Sequence, residues 1–402
     1  MRAIDVHTIF TPSEPSGAAG IDFDEVRTWV FQSALPFWAE HGIDRRHGGF
    51  LEEVSFEGRP TACEFKRVRV ICRQIYVFSH AALMGWPQGA ALSARGCDYL
   101  IEHAKLGEGA WARRLSRAGA VIDPTPDLYD LSFVLYAMAW RFRLTGDPEA
   151  RRCAEDTLAF IQSNLRAPRG GFWPWLPAQG LLLQNPHMHF TEACIAAFEA
   201  TQDQRFLDQA GELVDLFRAR LFDGRNLGER FDATWGRIPS DEALGLEPGH
   251  HFEWAWILGQ YQRLTGDTLA GEAAALADFA ERLGVDPKSG AVFDALHDNC
   301  SPMRQSSRAW PNTERIKAWL ALFELGGRDP CDPVRSSLRL LFDRYFAAPA
   351  AGAWIDQFDG NGAPLARVVP ASILYHLFLA FAELLRLEPK LAALNRPVQP
   401  PR

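Results

Sequence analysis

Two kinds of helical stretch alternate along the chain. In the first, apolar residues run nearly all the way round, as in Leu131-Ser-Phe-Val-Leu-Tyr-Ala-Met-Ala-Trp140 and Ser372-Ile-Leu-Tyr-His-Leu-Phe-Leu-Ala-Phe381, and a helix apolar on every side has to be buried. In the second, Leu158, Ile161 and Leu165 form one stripe against Arg151, Arg152, Glu155 and Asp156, the pattern of a helix with one face in water. A glycine followed within three residues by an aromatic occurs at Gly49, Gly109, Gly171, Gly228, Gly290 and Gly352, at intervals of 60, 62, 57, 62 and 62 residues. An aspartate between helices keeps step at Asp147, Asp203, Asp267 and Asp329. A period of about 60 residues with two turn signals is one helix hairpin plus one long loop. Six repeats, each setting a buried helix inside an amphipathic one, predict an all-α fold, an (α/α)6 barrel with short strands in its rim loops.

Nothing in the composition divides the 402 residues, so 1–402 reads as a single barrel domain. It ends in a Pro-rich stretch, 389–402, expected to be mobile or strapped to the surface. With 47% hydrophobic residues, 13 Trp and 27 Phe there is material for a large core. A net charge of −8 without runs of like charge argues against nucleic acid or a membrane surface as partner. Met1 to Phe10 holds no apolar leader core, and no window approaches the ~18 apolar residues of a membrane span, which points to the cytoplasm. The seven cysteines are scattered, with no C-x-x-C, so neither a disulfide framework nor a zinc cluster is expected. The partner left is a small molecule, on a monomer or homodimer.

Polar residues on the buried helices carry the chemistry, because a charge buried without a partner is costly. In Glu247-Pro-Gly-His250-His251-Phe-Glu253-Trp254, Pro248 suits a first helical turn. His250 and Glu253 then share a face while His251 points elsewhere. The spacing recurs in Asn185-Pro-His-Met-His189-Phe-Thr-Glu192. Arg73 lies on the second helix, Tyr129 and Asp130 open the fourth, Arg308 to Lys317 with Trp310 and Glu314 open the tenth, and Tyr375-His376 lies on the twelfth. If the inner helices are parallel, these early positions converge on one end of the barrel as a funnel-shaped pocket. Each has a structural alternative: a satisfied core histidine for His376, mutual pairing for His189 and Glu192, an interhelical ion pair for Arg73, plain core for Trp254 and Trp310. A metal site lacks H-E-x-x-H or cysteine support. There is no G-x-S-x-G, P-loop or G-x-G-x-x-G, and glycoside hydrolysis needs two carboxylates rather than three histidines. Histidines titrating near neutrality suit reversible proton abstraction beside a carbonyl.

At these residues the sequence resembles the N-acylglucosamine 2-epimerase superfamily of sugar epimerases and isomerases. The motifs that carry the likeness are Cys72-Arg73-Gln74, Asn185-Pro-His-Met-His189, Pro248-Gly-His-His-Phe-Glu-Trp254, Trp310-Pro-Asn-Thr-Glu-Arg-Ile-Lys317 and Tyr375-His376, spread over nearly the whole chain. The resemblance implies the same barrel, no metal or redox cofactor, and His250 and His376 as the acid/base pair. It further implies that His189 and Arg73 orient the substrate and stabilise negative charge, with Glu253 and Glu192 positioning histidines and sugar hydroxyls. Glu314, Trp310, Asn185, Tyr129 and Glu247 complete the expected sugar-binding set. Two residues depart from the family pattern, Arg69 where relatives usually have Trp and Asn312 where Gln is common, and both bear on substrate identity. The expectation is aldose–ketose isomerisation of an unphosphorylated hexose such as mannose through an enediolate. The alternatives are 2-epimerisation of a hexose or N-acyl-D-glucosamine and, from another class, a non-catalytic carbohydrate- or protein-binding barrel.

Overall fold

The computed structural model describes residues 20–239 and 245–394; Met1–Phe10 and residues 395–402 lie outside them. Two rings of helices make the body. The inner ring is α3 (Val68–Leu83), α5 (Leu128–Thr145), α7 (Gln184–Thr201), α9 (Pro248–Thr265), α11 (Ala309–Gly326) and α13 (Leu374–Leu394). The outer ring is α1 (Phe23–Thr28) continued through a π turn into α2 (Leu35–His41), then α4 (Gly89–Ala104), α6 (Pro148–Asn164), α8 (Gln204–Leu216), α10 (Ala270–Phe279) and α12 (Cys331–Leu340). Each inner helix packs on the next, and α13 packs on α3, closing the ring. An antiparallel pair of short strands, Glu53–Val54 against Val369–Pro370, fastens the same closure at the rim. No helix among the described residues is long and apolar enough to cross a membrane.

The repeat markers have local causes. Asp147 and Asp203 accept the backbone N–H of Glu149 and Arg205 and so cap α6 and α8, and Asp329 accepts that of Cys331 at the start of α12; such caps are worth about 1 kcal/mol each. Gly109 is required by closeness: at φ +68° its absent Cβ would lie 2.0 Å from the Asp156 carbonyl oxygen. Pro389 does not end the last helix. The last turns of α13 are held by buried Leu387 and Leu391 and by Glu388, whose carboxylate accepts 2.6 Å from Arg27, so the stretch expected as a tail from residue 389 is helical as far as Leu394.

Three inner helices hold the preceding rim loop by one device. Four residues after its N-cap, each carries a side chain that bonds the cap carbonyl and accepts a backbone N–H from the loop. His187 bridges the Leu183 carbonyl and the Phe172 N–H. His251 bridges the Glu247 carbonyl and the Leu227 N–H, and Asn312 bridges the Arg308 carbonyl and the Val292 N–H. Asn312 thus belongs to the scaffold, and the bearing on substrate identity expected of this departure is not a direct contact: it is 0% exposed and absent from the cavity wall.

Candidate active site

Six corresponding positions converge on the barrel axis. Five lie six residues after the N-cap of their inner helix, Arg73, Phe133, His189, Glu253 and Glu314, and His376 lies six after Pro370, the cap of the 3-10 turn Ala371–Ile373 that leads into α13. All are buried. They meet side to side: the Arg73 guanidinium lies 4.4 Å from the Phe133 ring centre, Phe133 4.8 Å from His189, His189 Nδ1 3.9 Å from Glu253, and Glu314 2.8 Å from His376 Nδ1. One helical turn deeper, Tyr76, Tyr136, Glu192, Trp256 and Lys317 form the floor. Above opens a cavity of about 280 Å³.

Of the side chains expected at the site, His250, His376, His189, Arg73, Glu253, Trp310, Asn185, Tyr129 and Glu247 line this cavity. Glu192 and Glu314 stand behind His189 and His376. Trp310 packs 5.3 Å from both His250 and His376. Trp254 is core, its indole N–H donating to Gln184. Arg73 donates to the Tyr129 hydroxyl and the Ser372 carbonyl, 2.9 and 3.0 Å away, so its charge faces the cavity without a carboxylate bonded to it.

Each histidine meets a carboxylate at Nδ1, yet their charge states diverge. His250 lies 3.0 Å from Glu229 and its Nε2 3.1 Å from the Asn185 amide. Burial alone would lower its pKa, but Glu229 first and then Glu247 lift it to about 9. His376 goes the other way: burial, then the charges of Arg73 and Lys317, hold it well below the usual imidazole range. At neutral pH these directions leave His250 an imidazolium, able to donate a proton, and His376 a neutral imidazole, able to accept one. Glu192 accepts from Tyr375 at 2.6 Å and lies 3.2 Å from His189. Burial works against its charge, but His189 and Lys317 keep it below the ordinary carboxylate value.

Glu253 stands a turn below His250 and its carboxylate accepts no hydrogen bond within the described residues. It does not hold His250, because Glu229 does. Glu229 escaped sequence reasoning although it sits in the Gly228–Phe231 rim marker, fixed by Gln184 at 2.9 Å. Two more were missed. Asp356 lines the mouth with one oxygen buried and unbonded, and burial raises it to about 6. Lys317, 0% exposed, pairs with Glu314 at 2.7 Å; its i,i+3 spacing from Glu314 was the available signal. The carboxylates below the cavity thus face a cation supplied by the chain, whose charge a divalent ion seated beside it would have to oppose. Arg69 does not line the cavity. It pairs with Asp130 at 2.8 Å, on the next inner helix.

Comparison with known proteins places this architecture. Residues 48–380 match the family model for N-acylglucosamine 2-epimerase (GlcNAc 2-epimerase). A mannose-6-phosphate isomerase of Rhizobium meliloti (strain 1021) is 31% identical over 371 residues, 90% of this chain and 96% of that protein. A D-mannose isomerase of Thermobifida fusca is 27% identical, covering 85% and 87% of the two chains. Among solved structures, a D-mannose isomerase superposes with a TM-score of 0.84 at 22% identity, over 90% of this chain and 97% of that one. A cellobiose 2-epimerase from Spirochaeta thermophila superposes with 0.81 at 21% identity, over 93% and 97%. With the barrel, the converging histidines and the match over most of its length, the chain belongs to the N-acylglucosamine 2-epimerase family.

Proposed function

We propose that the protein is a sugar isomerase that interconverts an aldose and its ketose by proton transfer through an enediolate. The observation that carries this is the pair His376 and His250, packed against the same tryptophan with opposite tendencies toward the proton. His376 removes the C2 proton of the opened aldose. The enediolate charge that develops faces Arg73, whose loss would cost about 3 kcal/mol of transition-state stabilisation. His250 gives its proton to O1 as the enediol forms. It takes one back from O2 as the His376 proton, or one exchanged with water, is delivered to C1. For the epimer, O1 returns its proton to His250, which then protonates C2 from its own side. Protonation at C1 gives the ketose, and protonation of the opposite face of C2 gives the epimer.

The cavity supports an unphosphorylated monosaccharide of mannose type. Its volume of about 280 Å³ lies just below the ~300–1,000 Å³ range of ligand sites. Of its two arginines, Arg73 faces the reacting oxygens while Arg308 is paired with Glu247 and Asp294 at 2.9 Å each, and the mouth adds the carboxyl of Asp356. A phosphate at the mouth would meet the carboxylates of Glu247 and Asp356 beside an Arg308 that is already paired. Glu253, unbonded and facing the cavity, is a ready acceptor for a sugar hydroxyl. Relatives named as 2-epimerases keep 2-epimerisation as the second reading. The proposal needs no redox cofactor or metal. It places the protein in the cytoplasm, in keeping with seven free cysteines. Incubation with mannose, glucose, fructose and N-acetylglucosamine in deuterated water tests it: fructose formation with label at C1 supports isomerisation, label at C2 with an epimer supports the second reading, and no label in any sugar refutes both.

A further inference from the structure

Behind His376 lies a buried positive charge. The Lys317 ammonium sits 2.7 Å from Glu314 Oε2 and 4.2 Å over the Trp256 ring. Glu314 Oε1 lies 2.8 Å from His376 Nδ1. Ammonium, carboxylate and imidazole thus form a line that ends at His376 Nε2, which has no hydrogen-bond partner among the described residues. Around it stand Glu192 and His189 from α7, Glu253 and His250 from α9, Arg73 from α3 and Tyr375 from α13.

A neutral imidazole takes a proton at Nε2 only when its own proton is on Nδ1, and that requires an acceptor there, a carboxylate rather than a carboxylic acid. In this cluster the ionised state needs support. Burial, with Glu253 and Glu192, raises Glu314 above the carboxylate range even with Lys317 beside it; the ammonium 2.7 Å from Oε2 is the group pulling the other way, and that ion-pair contact is what favours the carboxylate. A protonated Glu314 would donate to Nδ1, place the ring proton on Nε2 and leave no lone pair toward the sugar. The proton belongs to the pair, and its location sets the reactivity.

We propose that Lys317 is a positioning residue: by holding Glu314 as the carboxylate, it keeps the His376 ring proton on Nδ1 and leaves Nε2 bare toward the substrate. This rests on reading His376 as the group that takes the C2 proton. A merely structural ion pair within α11 would affect stability and leave the ring tautomer alone.

Lys317→Met, close in length and uncharged, separates the two, with nitrogen-15 NMR of labelled histidine reading the tautomer and a pH–rate profile reading the base. We expect the ring proton on Nε2, kcat near neutrality down roughly 100-fold, KM within roughly threefold, and the rising limb moved up by roughly one pH unit or more. Adding Lys317→Met to Glu314→Gln should cost little beyond Glu314→Gln alone, since both act through one proton. A folded Lys317→Met protein with the proton on Nδ1 and an unmoved rising limb overturns the proposal. Should Lys317→Met not fold, Lys317→Arg keeps the charge and should keep the Nδ1 tautomer; the Nε2 tautomer there overturns it equally. His376→Ala distinguishes the layers: near-normal turnover in that variant removes His376 itself, whereas its silence beside a normal Lys317→Met removes only Lys317.

Discussion

His250 and His251 are neighbours in the chain and point to different sides of α9: the first faces the cavity from 3.0 Å off Glu229, the second accepts the Leu227 N–H at 3.0 Å inside the wall. Their replacements should separate accordingly. His250→Ala should lower kcat by roughly 10²–10⁴-fold with the fold kept. His251→Ala should cost about 2–3 kcal/mol of stability through two lost buried hydrogen bonds, with kcat kept within roughly tenfold. Thermal unfolding and hexose turnover measured on both variants check this, and an exchange of the two phenotypes would reverse the assignment.

Glu229 should set the alkaline side of activity. The His250 pKa of about 9 exceeds the ordinary 6.5, so its protonation stabilises the fold fully below pH 6.5, and that contribution is lost as pH rises through 9. The acid that the proposed mechanism uses disappears over the same interval. Glu229→Gln removes the leading attraction, so the falling limb of kcat/KM should move down by roughly one to two pH units. The loss of stability toward pH 9 should flatten as well. A falling limb at the same pH in wild type and variant would assign it to another group.

Arg69 is a scaffold residue by its pairing with Asp130. Restoring the tryptophan usual in relatives, Arg69→Trp, leaves a carboxylate 2% exposed without its cation and should cost about 2–4 kcal/mol. The ranking of neutral against anionic sugars by kcat/KM should not change. A changed ranking at kept stability would return Arg69 to the substrate.

Asp356 is held at about 6, above the usual 3.8, by burial. A carboxyl raised in the fold weakens stability as pH climbs from 3.8 to 6, and the deficit persists above that. Asp356→Asn should therefore stabilise the protein at pH 7 by about 1–3 kcal/mol and hardly at all near pH 3.5. If Asp356 also accepts a sugar hydroxyl, KM rises in the same variant. Equal melting temperatures at pH 7 would show that the carboxyl is not strained there.

The barrel was legible because each inner helix touches protein on every side, which leaves an all-round apolar signature, and because three of the four aspartate markers are caps with a fixed chemical job. The helix-borne site residues were legible for the same reason: a histidine or arginine on an apolar helix is conspicuous. What escaped was set by the ring's third dimension. Glu229 reaches His250 only because Gln184 fixes its carboxylate and His251 holds the loop at Leu227, and no spacing along the chain records that. Arg69 and Asn312 were conspicuous as departures, but a sequence does not say which neighbour faces an unusual side chain. Asp130 lies 61 residues from Arg69, one repeat away, and the Val292 N–H meets Asn312 from a loop.

The seam of the ring has a further consequence. Arg73 bonds the Ser372 carbonyl and Gln74 the Ala371 carbonyl, contacts that span 299 and 297 residues. Such distant contacts repay their loop-closure entropy only after the hairpins between them have formed. The helix bearing His376 has α11 on one flank from the start, but its other flank is empty until α3 arrives. A barrel still open at this seam would keep His250, Glu229 and Trp310 assembled while Arg73 stood apart from His376. It would be a clamp that can grip a sugar and take its proton on one side and has no positive charge to meet the enediolate on the other. Turnover, unlike helix content, therefore reports whether the circle has shut.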